Sequence, residues 1–337
     1  MKNTVKKLFA LVMALSLVVC AFAACGGAGT ETTTSADSTN NADGKVYTVG
    51  ICQLVQHDAL DAATEGFKKA LTDKLGENVK FDEQNASNEP TNCTTICGTF
   101  VSNNVDLIMA NATPALSAAA TATADIPIVA TSVTDFATAL DIKDWNGATG
   151  MNVTGTADLA PLDEQAKMIK ELCPDAKTVG ILYCSAEPNS KYQSDVITGY
   201  LKELGLEVKE YTFTDSNDIA SVTTTAAENC DVLFAPTDNT VANNAEAIAN
   251  VLEPAGIPLV AGESGICKGC GIATLSISYY DIGYKAGEMA YEILVNGKDP
   301  ATMNVEYATN PEKMFMADRC KALNITVPED YKEIVVE

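Results

Sequence analysis

Val49-Gly50-Ile51-Cys52-Gln53-Leu54-Val55-Gln56-His57-Asp58-Ala59-Leu60-Asp61-Ala62-Ala63 is the stretch on which the reading of this chain turns. A short apolar run, the pattern of a strand buried on both faces, gives way to polar residues. Apolar positions 63, 67, 70, 71 and 75 then recur near the 3.6 period of a helix. Val179-Gly180-Ile181-Leu182 opens the same strand-then-helix pattern a second time.

Working outward, further strands are expected over Asp106–Ala112, Pro127–Val133, Asp231–Pro236, Pro258–Ala261 and Ile272–Ile277, with weaker ones over Lys80–Asn85 and Glu207–Phe213. Amphipathic helices are expected over Asp58–Leu75, Thr91–Ser102, Pro114–Ala124, Pro161–Leu172, Asn189–Leu204, Ile219–Asn229, Thr240–Ala255 and Asp281–Val295. Regular alternation of this kind predicts an α/β fold with parallel sheets covered on both faces. Because the series repeats, two doubly wound lobes are expected, with a cleft between them. In such sheets ligands bind beyond the carboxyl ends of the strands.

The composition removes many activities. Of 337 residues, 22 are Lys or Arg and 45 are Asp or Glu, for a net charge of −23. That argues against nucleic acid as a partner, since phosphate neutralisation needs clustered cations. One histidine, His57, and one arginine, Arg319, leave little for zinc sites, serine triads or guanidinium forks. No Gly-x-Gly-x-x-Gly follows the first strand, and there is no Gly-Lys-Ser/Thr loop, Gly-x-Ser-x-Gly elbow or His-Glu-x-x-His helix. The expectation is a protein that is not an enzyme, with no cofactor and no resident metal.

The N-terminus is basic at Lys2, Lys6 and Lys7, then apolar from Leu8 to Val19, as in a secretory signal. Ala23-Ala24-Cys25-Gly26 fits a bacterial lipobox, so residues 1–24 are expected to be removed and Cys25 to be lipidated. Residues 25–45 would be a flexible tether, too polar to bury a core. The chain is thus expected on the outer face of the cell membrane, held by lipid chains. Nine further cysteines leave at least one unpaired. Cys267-Lys268-Gly269-Cys270 could be a redox pair, half a metal site or a turn disulfide. Cys93 and Cys97 would share one helix face. Buried free thiols are the simplest reading of the set.

The loops after the strands hold the candidate site. Gln53 and His57 follow the first strand, Thr113 the third, Ser132 and Asp135 the fourth. Asn189 and Ser190, then Asp238 and Asn239, then Glu263 follow those of the second series. Helix capping accounts for some of these, Thr113 and Asn239 among them. If neighbours do the capping, Asp135, Asp238 and Glu263 stay free to hold an ammonium group. With no arginine here, a ligand carboxylate would rest on hydroxyls and on amides at helix N-termini. Acids for an amine and neutral donors for a carboxylate describe an amino-acid site. His57 either lines the cleft, stacking on or bonding a planar ligand, or is a first-turn polar residue in water.

The lipobox, Val49–Ala63, Asp106–Asp135, Pro236-Thr237-Asp238-Asn239-Thr240, Tyr279-Tyr280-Asp281-Ile282-Gly283 and Lys321–Glu329 together resemble the substrate-binding lipoproteins of ABC transporters, in the tryptophan/tyrosine-binding group. The resemblance implies a type I periplasmic-binding-protein fold, with lobes of residues 46–155 plus 278–306 and 156–277 plus 307–337. Crossings would lie near Asn152–Asp158, Ser276–Tyr280 and Val305–Asn310. It implies a monomer that captures an aromatic amino acid by hinge closure and delivers it to an ABC permease. Thr113 and Ser132 would meet the carboxylate, and Asp238 and Glu263 the amine. Gln53, His57, Asn189 and Ser190 would line the pocket. A nucleoside, a sugar or another small solute on the same fold, or a role in sensing, is the alternative.

Overall fold

The structure, a computed structural model, describes residues 44–335. The expected signal, Cys25 and the tether through residue 43 lie outside the described residues. The first series runs β1 (Tyr47–Gln53), α1 (Asp58–Leu75), β2 (Val79–Asn85), α2 (Pro90–Ser102), β3 (Leu107–Asn111), α3 (Thr113–Ala122), β4 (Ile128–Val133), α4 (Phe136–Ala139), β5 (Val153–Ala157) and α5 (Leu162–Leu172). The second runs β6 (Thr178–Cys184), α6 (Pro188–Glu203), β7 (Glu207–Phe213), α7 (Ile219–Asn229), β8 (Val232–Ala235), α8 (Asn239–Asn243), α9 (Ala245–Ala255), β9 (Leu259–Ala261), α10 (Ser264–Cys270) and β10 (Ala273–Ser276). The chain closes with α11 (Tyr279–Leu294), β11 (Glu306–Tyr307), β12 (Glu312–Phe315), α12 (Ala317–Ala322) and β13 (Lys332–Glu333).

Two sheets result, in the orders β11-β5-β4-β3-β1-β2 and β13-β12-β10-β9-β8-β6-β7. All pairings are parallel except β10 with β12. Both faces of each sheet carry a core. In the first lobe Phe100 and Leu116 lie on one side, and Phe67, Leu71 and Ala286 on the other. In the second, Ile169 and Ile197 oppose Ala226, Ile248 and Ile266. The chain passes between lobes after β5, before α11 and after β11, so the two lobes share three hinge strands.

The start of α11 is fixed against α1 by close backbone approach. A Cβ on Gly66 would lie 2.1 Å from the Tyr280 carbonyl, and one on Gly283 2.0 Å from that of Ala63. Only glycine allows this contact. It locks the helix that follows the second crossing beside the helix capped by His57.

Three elements differ from the expected ones. Residues 153–157, read only as a crossing, form β5. The helix expected over Thr240–Ala255 breaks at Asn244, whose backbone leaves the helical region at φ −125°, ψ 21° and whose Nδ2 donates to the Thr240 carbonyl. Helix α10 has no apolar period to announce it. It is held from its ends: the Glu263 carboxylate accepts from the amides of Gly265 and Ile266, and Arg319 donates to the carbonyls of Cys267, Lys268, Gly269 and Gly271. No described helix is long and apolar enough to cross a membrane.

Candidate binding site

Strand ends from both sheets meet at one narrow cavity of about 10 Å3. His57, Leu60, Ser132 and Thr134 form the wall on the first lobe. Asn189, Thr237, Asp238, Asn239, Ala242 and Glu263 form the facing wall. Asp158 and Tyr279, at the ends of two hinge strands, close the back.

Three buried carboxylates line this space, and no lysine or arginine does. Burial pushes the Asp158 carboxyl above its ordinary range, opposed by hydrogen bonds from Tyr279 Oη at 2.9 Å and Thr134 Oγ1 at 3.0 Å. Burial, with the nearby Glu187 charge, raises Asp238 well above the usual carboxylate value. Burial also raises Glu263, opposed by His57 and by the amides of Gly265 and Ile266. A buried carboxylate without a cation is unfavourable when ionised, so the wall as built would be stabilised by a cationic group in the cavity.

All three acids expected to be spared from capping are caps. Asp135 accepts from Thr138 N, Asp238 from Val241 N, and Glu263 from the first amides of α10. The loops supply no other side chain at those positions, so the acids do that work. Asp238 and Glu263 still border the cavity, because a carboxylate has lone pairs to spare after capping.

Three cavity-lining atoms are buried with no partner in the protein: His57 Nδ1, Ser132 Oγ and Asn189 Oδ1. Buried polar atoms are nearly always paired, so these three mark where a bound molecule would bond. Ser132 sits on an irregularity of β4, at φ +56°, a left-handed backbone that serine seldom adopts. The irregularity brings its hydroxyl to the cavity wall.

The lobes touch across the cavity mouth. Asn88 Nδ2 donates to Thr240 Oγ1 at 3.0 Å, and His57 Nε2 lies 3.3 Å from Asn239 Oδ1. Thr134 Oγ1 is 3.4 Å from both Thr237 Oγ1 and Gln193 Nε2, and Lys268 pairs with Asp58 at 2.9 Å. These bonds describe a closed cleft.

His57, Ser132, Asn189, Asp238, Asn239 and Glu263 are therefore brought together. Four other expected residues lie off the cavity wall. Gln53 is turned into the first lobe, where its amide donates to the Val55 carbonyl and accepts from Thr64 Oγ1 at 2.6 Å. Thr113 borders a separate groove with Pro114 and Pro188. Asp135 is occupied with α4. Ser190 is fully buried behind Asp238, to which it donates at 2.8 Å. Sequence reasoning missed Asp158, Thr134, Thr237 and Tyr279 as lining residues. An acid ending the first hinge strand was the available signal for Asp158.

The nine cysteines among the described residues are all free thiols, eight of them buried. Burial pushes the Cys270 thiol up to about 12 and Cys184 to about 11, which makes both poor nucleophiles at neutral pH. Cys52, Cys93 and Cys97 are buried together in the first lobe's core. Among the described residues, no group of three His, Cys, Asp or Glu side chains is arranged to hold a metal.

Comparison with known proteins places this architecture. The family model described as ABC transporter substrate binding protein matches residues 48–335. The chain belongs to that family. It is 36% identical over 324 residues to a tyrosine-binding protein of Clostridioides difficile, covering 95% of this chain and 93% of the relative. A solved domain from Streptococcus pneumonia in complex with L-Trp superposes with a TM-score of 0.83 at 29% identity, covering 86% of this chain and all of that one. A ligand-free, open substrate-binding protein with adhesive properties from Clostridium difficile is more similar in sequence, at 37%, covering 87% of this chain and 100% of that one, yet superposes at only 0.67. A whole-chain score falls when two lobes rotate, so this substrate-binding protein has its lobes set as in the Trp complex. The fold is the two-lobed type I arrangement.

Proposed function

We propose that this substrate-binding protein captures an aromatic amino acid, L-tyrosine or L-tryptophan, by closing its cleft on it. The observation that carries the reading is the cavity wall: three uncompensated buried carboxylates beside three unpartnered polar atoms. An ammonium would offset the buried charge of Asp158, Asp238 and Glu263. Ser132 Oγ would donate to the ligand carboxylate. Leu60, Ala242 and Tyr279 offer the apolar contact that an aromatic side chain needs. The relatives named for tyrosine and for L-Trp support the choice of ligand.

The ligand stabilises the closed form only by the difference in its affinity for closed and open. Bridging both lobes and the hinge supplies that difference, since the open cleft would separate Ser132 from Asn189. As a member of its family the protein works outside the cytoplasmic membrane. In this reading Cys25 carries the lipid that holds it there, the tether gives it reach, and an ABC permease takes the closed complex. The domain acts as a binding protein, not as an enzyme.

Thermal unfolding against all twenty amino acids, nucleosides and common sugars tests the proposal. A ligand at 100 times its dissociation constant adds about 2.7 kcal/mol, a clear shift. Stabilisation by Tyr or Trp is the expected result. Stabilisation by a sugar or nucleoside alone would overturn the ligand class.

A further inference from the structure

Glu187 lies just behind the cavity and is almost fully buried. Its carboxylate accepts from five donors: Asn239 N, Asn239 Nδ2, Thr240 N, Thr240 Oγ1 and Asn189 Nδ2, at 2.8 to 3.1 Å. An ionised carboxylate can only accept. Each amide that reaches it must therefore present nitrogen to it and oxygen elsewhere.

For Asn189, Nδ2 also donates to the Thr237 carbonyl at 3.0 Å, a second group that can only accept. Its orientation is fixed twice over, and Oδ1 is left unpartnered on the cavity wall. For Asn239, the bond to Glu187 turns Oδ1 toward His57 Nε2. That oxygen accepts, so Nε2 must carry the proton. In a neutral imidazole the other nitrogen is then an acceptor, and His57 Nδ1 is the second unpartnered atom on the wall. One carboxylate thus dictates the character of two ligand-facing atoms, one on each lobe.

We propose that Glu187 is a positioning residue that sets the hydrogen-bond polarity of the cavity, making Asn189 Oδ1 and His57 Nδ1 acceptors and so selecting ligands rich in N–H donors. This deepens the amino-acid reading and rests on it for the ligand: the wall recognises an amine-bearing solute and disfavours its deaminated analogue. Without Glu187 the Asn239 amide is free to turn over, while Asn189 keeps only the Thr237 carbonyl as its hold. Asn239 would then offer nitrogen to His57, moving the imidazole proton to Nδ1.

The chain has one histidine, so its tautomer can be read without assignment ambiguity. The test is 15N NMR at alkaline pH, on the neutral ring, of the protein held closed by saturating L-tyrosine, since His57 meets Asn239 across the cleft. The expected spectrum shows protonated Nε2 and unprotonated Nδ1 in the natural chain, and loss of that preference in Glu187→Gln. In this variant the new amide nitrogen meets the backbone N–H of Asn239 on one side or of Thr240 on the other, so the hold on the Asn239 amide is lost whichever way it turns. A natural chain with protonated Nδ1, or a variant with an unchanged tautomer, overturns the proposal. If Glu187→Gln loses its circular dichroism signal, Asn239→Leu is read in its place, since it removes the acceptor facing Nε2 together with one of the five donors to Glu187.

The second arm titrates natural and variant proteins with L-tyrosine and with 3-(4-hydroxyphenyl)propionate, which lacks the amine. Glu187→Gln should weaken tyrosine by about tenfold or more and the deaminated acid by less than about threefold, the scale of a lost hydrogen bond to a charged group. Equal losses for both would show a merely structural role and overturn it. If neither compound binds the natural chain, the amino-acid reading fails, and the tautomer is read with whichever solute of the thermal screen closes the cleft, which still decides the role of Glu187.

Discussion

Tyr279 Oη donates to Asp158 Oδ2 at 2.9 Å, joining the first residue of α11 to the end of β5 across two hinge strands. The pair forms the back of the cavity, so the hinge and the ligand share one carboxylate. Removing the hydroxyl leaves a fully buried carboxylate oxygen short of a donor. Tyr279→Phe should therefore cost about 1–3 kcal/mol of stability. Urea unfolding of the ligand-free protein reads this directly, and a midpoint equal to that of the natural chain would contradict the role of the bond.

Acidification should weaken ligand binding. Asp158, Asp238 and Glu263 are all raised by burial in the free protein. A carboxyl raised in the folded state contributes stability that is full below its unfolded value, about 4, and lost as pH rises through the folded value. Ionising these groups at neutral pH thus works against the empty closed form, and a ligand ammonium offsets that cost. As pH falls through the raised values the carboxyls take up protons that the ligand must displace. Affinity should drop by up to about tenfold per pH unit for each linked group. Calorimetric titrations in buffers of different ionisation enthalpy should show proton release on binding. A flat affinity down to pH 4.5 would sink the ammonium–carboxylate pairing.

Asn88 holds the lobes together through Thr240, and its backbone lies at φ +63°. Asn88→Gly removes the side chain while suiting that backbone. The closed form should lose about 0.5–1.5 kcal/mol, seen as a roughly two- to tenfold faster ligand release in stopped-flow displacement. An unchanged release rate would mean that the bond contributes nothing to closure.

Gly283→Ala would drive a methyl to 2.0 Å from the Ala63 carbonyl, backbone that has no rotamer by which to escape. α11 must shift from α1, at a cost of about 1–3 kcal/mol or more. Gly98→Ala, where a Cβ meets nothing within 4 Å, is the matched control. Similar melting temperatures for the two variants would refute the close-approach argument.

Cys25→Ser in the complete chain should move the protein from the membrane fraction to the medium or soluble fraction. Two or more acyl chains anchor stably, at about 0.8 kcal/mol per buried methylene, and the tether offers no other apolar hold. Retention of the variant in washed membranes would remove the lipid from the account.

The chain's periodicity determined the fold. Continuous apolar runs and the 3.6-residue period are local signals, and the runs at Val46–Leu54 and Thr178–Cys184 could be placed without knowing their neighbours. The polar strand ends at His57, Ser132, Asn189, Asp238, Asn239 and Glu263 followed from topology, because parallel strands deliver their C-terminal loops to one edge. What the tertiary structure decided is direction and pairing. Gln53 and Ser190 have the same character in sequence as the residues that face the cavity, yet one bonds Thr64 and the other supports Asp238 from behind. The shared hinge carboxylate of Asp158, the α10 helix clamped by Arg319, and the acceptor role of His57 Nδ1 all depend on atoms far apart in the chain. Such long-range hydrogen bonds leave no periodic trace. The Arg319 clamp exists only once the second lobe has closed on itself, and the His57–Asn239 contact only once the two sheets have been brought face to face.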